Sequence, residues 1–248
     1  MISNHIYEYR MSPPFIISHQ DSDSQMVESS GVLEIFPIKI GSYIFTHEHK
    51  TCLKQLCFDI IDKYRNNSEY SIQSNGYLTH YFDPILNINS SLLDYPGFET
   101  FHTWIKRCSI DYINNTLGCD CGDDVVITQC WINECSKGGS QTPHTHKNSL
   151  ISGTYFVNFI PEMHAPLTFI KPTMAGTPYL ELERNNTTCS NDSETSVKPY
   201  EGALLLWESH LVHAHSSLSN NADKRISISF NVMPKTLPGI YGFKLIKI

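Results

Sequence analysis

The sequence predicts a mainly β protein with two flanking helices, a sandwich or barrel built as one domain. Three observations predict it. After Gly122, short runs of β-branched and aromatic residues alternate with clusters of Gly, Pro and Asn, the pattern of an all-β half. Before that point, two stretches carry apolar residues at helical spacing. Near the end, Arg225-Ile226-Ser227-Ile228-Ser229-Phe230-Asn231-Val232 separates into one apolar and one polar face when read as a strand. The chain's 248 residues and 40% hydrophobic content suffice for one such core.

Residues 1–30 are polar, as in Asp21-Ser22-Asp23-Ser24-Gln25, and read as a loose arm ahead of a single domain over 31–248. From 31 to 45, Val32-Leu33-Glu34-Ile35-Phe36-Pro37-Ile38-Lys39-Ile40 suggests an edge strand, because Pro37 cannot donate to a ladder. Over 49–65, Leu53, Leu56, Cys57, Ile60, Ile61 and Tyr64 predict a helix that Asn66-Asn67-Ser68 ends. A second helix follows Pro96-Gly97, with Phe101, Trp104, Ile105, Cys108 and Tyr112 as its stripe and Leu117-Gly118 closing it. Both stripes read as packing faces, so 49–118 is helical support and about 122–248 is the β core. The expected strands are 124–134, 150–159, 166–171, 178–183, 202–208, 226–233 and 240–246, with residues 185–196 as a polar surface loop. Gly202-Ala203-Leu204-Leu205-Leu206-Trp207 is continuously apolar and is expected to be buried on both faces.

Charge narrows the partners. The formal net charge is -7 and no basic run occurs, which argues against nucleic acid. No apolar run approaches the ~18 residues of a membrane span, and Met1-Ile2-Ser3-Asn4-His5 lacks the order of a signal peptide. A cytoplasmic location is expected, with the eight cysteines as reduced thiols. Cys119-Asp120-Cys121 lacks the second pair that a structural zinc site needs.

The residues that point to chemistry are histidines. His144 and His146 stand two apart between two extended stretches, and in an extended chain such residues project to the same side. They could converge on one metal, although two histidines on a polar loop are by themselves a common surface feature. Glu208-Ser209-His210-Leu211-Val212-His213-Ala214-His215 follows the buried strand and offers candidates for a third ligand. The polar face of 225–232 carries one Arg and small neutral groups instead of the Lys and Glu of exposed strands. Such a face suits a wet interior, where Arg225 could clamp a carboxylate through two hydrogen bonds and Ser227 could add a third.

Several segments together carry a family resemblance: Trp131-Ile132-Asn133, His144-Thr145-His146, Leu150-Ile151-Ser152-Gly153-Thr154-Tyr155-Phe156, the stretch Pro199 to His213, and Arg225-Ile226-Ser227-Ile228-Ser229-Phe230-Asn231. The order resembles 2-oxoglutarate/Fe(II)-dependent oxygenases of marine bacteria and phages, relatives of the prolyl hydroxylases. Val32-Leu33-Glu34-Ile35-Phe36-Pro37 and Ser74-Asn75-Gly76-Tyr77 extend it upstream, so it covers roughly residues 32–234. The resemblance implies a double-stranded β-helix (jelly-roll) with Fe(II) held by His144, His146 and His213. It implies 2-oxoglutarate held by Arg225 and Ser227, with Asn133 and Tyr155 lining that pocket and Trp131 and Asn231 nearer the substrate. It also implies O2 as co-reactant and hydroxylation of a peptide, amino acid or small metabolite. The chain departs from the usual His-x-Asp/Glu motif, because His146 stands at the carboxylate position. Glu134 and Glu208 are nearby carboxylates outside that position.

Two other readings use the same residues. A cupin-type metalloenzyme binds metal through three histidines without 2-oxoglutarate, and Gly138 with His144 and His146 matches the start of its motif. The glutamate expected after the second histidine is absent, since Lys147-Asn148-Ser149-Leu150-Ile151 follows, and Arg225 has no role there. A non-catalytic jelly-roll binding protein would make the histidines incidental.

Overall fold

The alternation in the last long strand governs the architecture, because that strand has apolar partners on one side and polar ones on the other. The computed structural model describes residues 38–64, 71–74, 77–81, 92–121, 124–171, 194–237 and 243–244. From Lys39 onward the chain forms one compact unit. The expected arm at 1–30, the Pro37 position and the strand at 178–183 lie outside the described residues.

The strands are β1 (Gly41–Ile44), β2 (Ser71–Ser74), β3 (Tyr77–Tyr81), β4 (Val125–Cys135), β5 (Gln141–His144), β6 (Ile151–Asn158), β7 (Leu167–Ile170), β8 (Glu194–Val197), β9 (Ala203–Glu208), β10 (Val212–His215), β11 (Arg225–Pro234), β12 (Thr236–Leu237) and β13 (Phe243–Lys244). The helices are α1 (His47–Tyr64) and α2 (Glu99–Asp111), and one π-helical turn (Tyr112–Thr116) continues α2. A seven-stranded sheet in the order β1-β9-β6-β11-β4-β3-β2 stands with a four-stranded sheet, β5-β10-β7-β8. The paired strands are antiparallel throughout. Antiparallel sheets that segregate their helices to one face give the mainly β class with flanking helices.

The helices cover the outer face of the large sheet. Leu53, Cys57, Ile60 and Ile61 of α1 and Phe101, Ile105 and Cys108 of α2 are buried against Ile132, Tyr155, Leu204, Leu206, Ile226, Ile228, Phe230 and Val232. Among the described residues, both helical stripes therefore pack as their spacing predicts. A second apolar cluster, Phe156, Phe159, Leu167, Phe169, Leu205, Trp207 and Leu211, fills the inside of the sandwich. β9 contributes Leu204 and Leu206 to the outer cluster and Leu205 and Trp207 to the inner one, which explains its uninterrupted apolar run. At Gly153 a Cβ would stand 2.5 Å from Phe230 Cζ and 2.6 Å from a Leu206 methyl, so only glycine admits those side chains across β6.

Three expectations need correction. Residues 185–196 are not all loop, because Glu194 opens β8, whose Thr168–Ser196 hydroxyl contact (2.8 Å) ties it to β7. The chain also forms short strands at 71–74 and 77–81 that extend the large sheet beyond β4. Finally, β5 ends at His144, so His146 is not carried by the strand pleat. A loop bond from His146 N–H to the Ser209 carbonyl (3.0 Å) holds it instead. Among the described residues, no helix is long and apolar enough to cross a membrane, and all the described cysteines are free thiols.

Candidate metal centre

Where the small sheet faces the large one, the inward side chains leave a cleft. His144, His146 and His213 meet there, with one ligand atom from each within 4.8 Å of the others. Two of them arrive by strand register, since His213 on β10 pairs directly with His144 on β5. The third comes from the loop after β5, and its ring stacks on His144 with centroids 5.3 Å apart. Among the described residues this is the one group of His, Cys, Asp or Glu arranged to hold a metal ion.

Each imidazole is oriented by its other nitrogen. His144 Nδ1–H donates to the Thr142 carbonyl (2.8 Å) and His213 Nδ1–H to the Leu211 carbonyl (3.0 Å). His146 Nδ1–H donates to Asn231 Oδ1 (2.6 Å), which also accepts from Ser152 Oγ (3.0 Å). Asn231 is fixed in turn by donating to Gln129 Oε1 (2.8 Å). With all three Nδ1 atoms donating, the lone pair of every ring is on Nε2, the state a metal ligand needs. Burial, together with the neighbouring His144, pushes the His213 pKa down to about 3. Burial also lowers His146, against the opposing pull of its Asn231 bond. Neutral rings with oriented Nε2 atoms fit a transition metal.

The other wall is β11. Arg225, Ser227, Ser229 and Asn231 are all buried, so the polar face lies inside the sandwich and not in water. Arg225 is 2% exposed, donates from Nε to the Ala165 carbonyl (3.0 Å), and lies 5.5 and 5.6 Å from the Phe156 and Phe159 ring centroids. Arg225, Ser227, Ser229, Thr154, Trp131, Gln141, Leu167 and His215 line the cleft with the three histidines.

The sequence-derived site residues sort as follows. His144, His146, His213, Arg225, Ser227 and Trp131 share the cleft, Trp131 stacking on His146 at 5.6 Å. Asn133 stands behind it and donates to Ser229 Oγ (3.0 Å). Asn231 holds His146 instead of facing a substrate space. Tyr155 is not in the cleft, because β6 alternation sends Ser152 and Thr154 inward and Tyr155 outward among Phe45, Phe101 and Trp104. Glu134 and Glu208 are absent from both the cleft lining and the metal group, each being one residue out of phase with an inward Asn133 or Trp207. His210 is exposed. Sequence reasoning missed Thr154 and Gln141 and took His215 only as a candidate ligand; the spacing of Ser152 to Thr154 and of His213 to His215 was the available signal.

Two facing antiparallel sheets with a three-histidine group and an inward arginine define a double-stranded β-helix with a candidate metal centre. Residues 129–231 match the family model described as "Putative 2OG-Fe(II) oxygenase". That match runs from β4 to β11, and over it the chain is similar to the 2-oxoglutarate/Fe(II)-dependent oxygenases. Solved structures share the fold. AviO1 from Streptomyces viridochromogenes Tue57 is 11% identical with a TM-score of 0.53, over 79% of this chain and 89% of that one. HygX from Streptomyces hygroscopicus, solved with nickel, 2-oxoglutarate and hygromycin B, is 11% identical with a TM-score of 0.51, over 79% and 83%. The carbocyclase SnoK from nogalamycin biosynthesis is 11% identical with a TM-score of 0.53, over 81% and 83%. No curated protein matches the sequence.

Proposed function

We propose that this protein is a non-haem Fe(II)- and 2-oxoglutarate-dependent oxygenase that hydroxylates an unactivated C–H bond of a peptide, amino acid or small metabolite. One observation carries the reading: a single cleft joins three oriented histidines to a buried arginine on the opposing strand. His144, His146 and His213 hold Fe(II) through Nε2. Bound there, iron supplies the O2-dependent oxidative decarboxylation of 2-oxoglutarate to succinate and CO2, and with it the oxidising power for hydroxylation.

The chain's own residues do the rest. Arg225 takes the far carboxylate of 2-oxoglutarate through its guanidinium, aimed by the Ala165 carbonyl, with Ser227 beside it. The Phe156 and Phe159 rings keep water from that ion pair, which strengthens it. Trp131 covers His146 on the cleft side. The ligand set carries no carboxylate, so the site is one charge more positive than a two-histidine, one-carboxylate centre and holds Fe(II) less by charge. A small-molecule substrate is in keeping with HygX, solved with hygromycin B, and the free thiols are in keeping with a cytoplasmic setting.

The test is anaerobic reconstitution. Fe(II) together with 2-oxoglutarate should produce a visible metal-to-ligand charge-transfer band and raise Tm above that with Fe(II) alone. Fe(II) binding with no response to 2-oxoglutarate would instead favour a cupin-type centre and overturn the proposal.

A further inference from the structure

Four histidines line the cleft, and three of them form the metal group. The fourth, His215, is two residues beyond His213 on β10, so the pleat turns both rings inward and Ala214 away. Their partners on β5 differ: His213 opposes His144, whereas His215 opposes Gln141. The wall therefore has two rungs, about 6.6 Å apart along β10, with a register irregularity between them where β5 spans three residues to two on β10. The β11 wall has the same polarity. Asn231 touches His146 at the metal end, and Arg225 lies at the other end, within electrostatic reach of His215. The lower rung thus gathers His215, Gln141, Arg225 and Ser227 around a space one rung from the metal group. His215 is 2% exposed, as buried as Arg225.

We propose that His215 is a binding residue for the far carboxylate of a 2-oxo dicarboxylic acid, donating an imidazole N–H beside the Arg225 guanidinium and setting the chain length that the cleft accepts. The inference rests on the oxygenase reading above. Imidazole offers an N–H donor in either protonation state. Arginine alone attracts any anion, whereas a second donor on the opposite wall fixes where the carboxylate must end. A 2-oxo monocarboxylic acid brings no second carboxylate to this rung and forgoes these hydrogen bonds. A diacid one methylene longer meets the His215 ring.

The experiment uses the full chain loaded with Mn(II), titrated calorimetrically with 2-oxoglutarate and with 2-oxoadipate. His215→Ala should weaken 2-oxoglutarate binding ~10-fold or more while leaving Mn(II) affinity nearly unchanged. It should also shrink the preference for 2-oxoglutarate over 2-oxoadipate. His215→Gln, which keeps an N–H donor, should recover most of the affinity, and it decides the matter if the alanine variant does not fold. Unchanged 2-oxoglutarate affinity in both variants overturns the inference, as does a parallel loss of Mn(II), which would make His215 part of the metal group. Wild-type protein that binds Mn(II) but not 2-oxoglutarate overturns the oxygenase reading itself. Wild-type binding with indifferent variants overturns only the role of His215.

Discussion

On the outward face of β11, Ile226, Ile228, Phe230 and Val232 meet the helices through apolar contact. On its inward face, Arg225, Ser227, Ser229 and Asn231 meet hydrogen-bonding groups and the histidines. Both faces are buried to a similar degree, so burial alone does not separate core from site. The difference lies in direction. Apolar packing tolerates small shifts if volume is kept, whereas Arg225, Ser229 and Asn231 each have a hydrogen-bond partner at a set distance.

Substitutions on the two faces and around them should separate these roles. The largest effect is expected at His213→Ala, which should abolish most Fe(II) binding in a metal titration, while the exposed His210→Ala leaves it intact; equal effects would undo the ligand assignment. Phe230→Ala should cost about 3–5 kcal/mol of stability, read from urea unfolding, with metal affinity of the folded protein preserved. Arg225→Ala should do the reverse. Metal binding stays, while the stabilisation by an unreactive 2-oxoglutarate analogue, about 2–5 kcal/mol for a buried charged contact, disappears from the thermal shift. Asn231→Ala should weaken metal binding ~10–100-fold by freeing the His146 ring, and Asn231→Asp should restore it; an effect on stability alone would reduce Asn231 to packing.

The smallest expected effect is on pH dependence. Burial and neighbouring charge hold His213 and His215 neutral, with pKa values lowered to about 3 and about 2, while unfolded histidines protonate near ~6.5. Between those values the unfolded chain binds more protons, so metal-free stability should decline as pH falls below about 6.5. His215→Gln should flatten the decline in urea midpoints across that window.

Much of this was legible in the chain. The stripes of α1 and α2 and the two-sided burial of β9 follow from apolar spacing, His144, His146 and Arg225 stand out by residue type and spacing, and only the family resemblance separated His213 from His210 and His215. Other features were not legible. Tyr155 stands beside Thr154 in the sequence yet lies across the sheet from it, because a one-residue step reverses the face. The meeting of His146 with His144 depends on a loop bond to Ser209, which the strand pleat could not foretell. Asn231 as the partner of His146 joins residues 85 positions apart.

The sequence by itself determined which residues share a face, because the strand and helix periods are local properties of the backbone. Only the tertiary structure decided what covers each face: helices over Ile228 and Phe230, and a second sheet bearing histidines over Arg225 and Ser227. Those choices depend on contacts between distant segments, which no local period encodes.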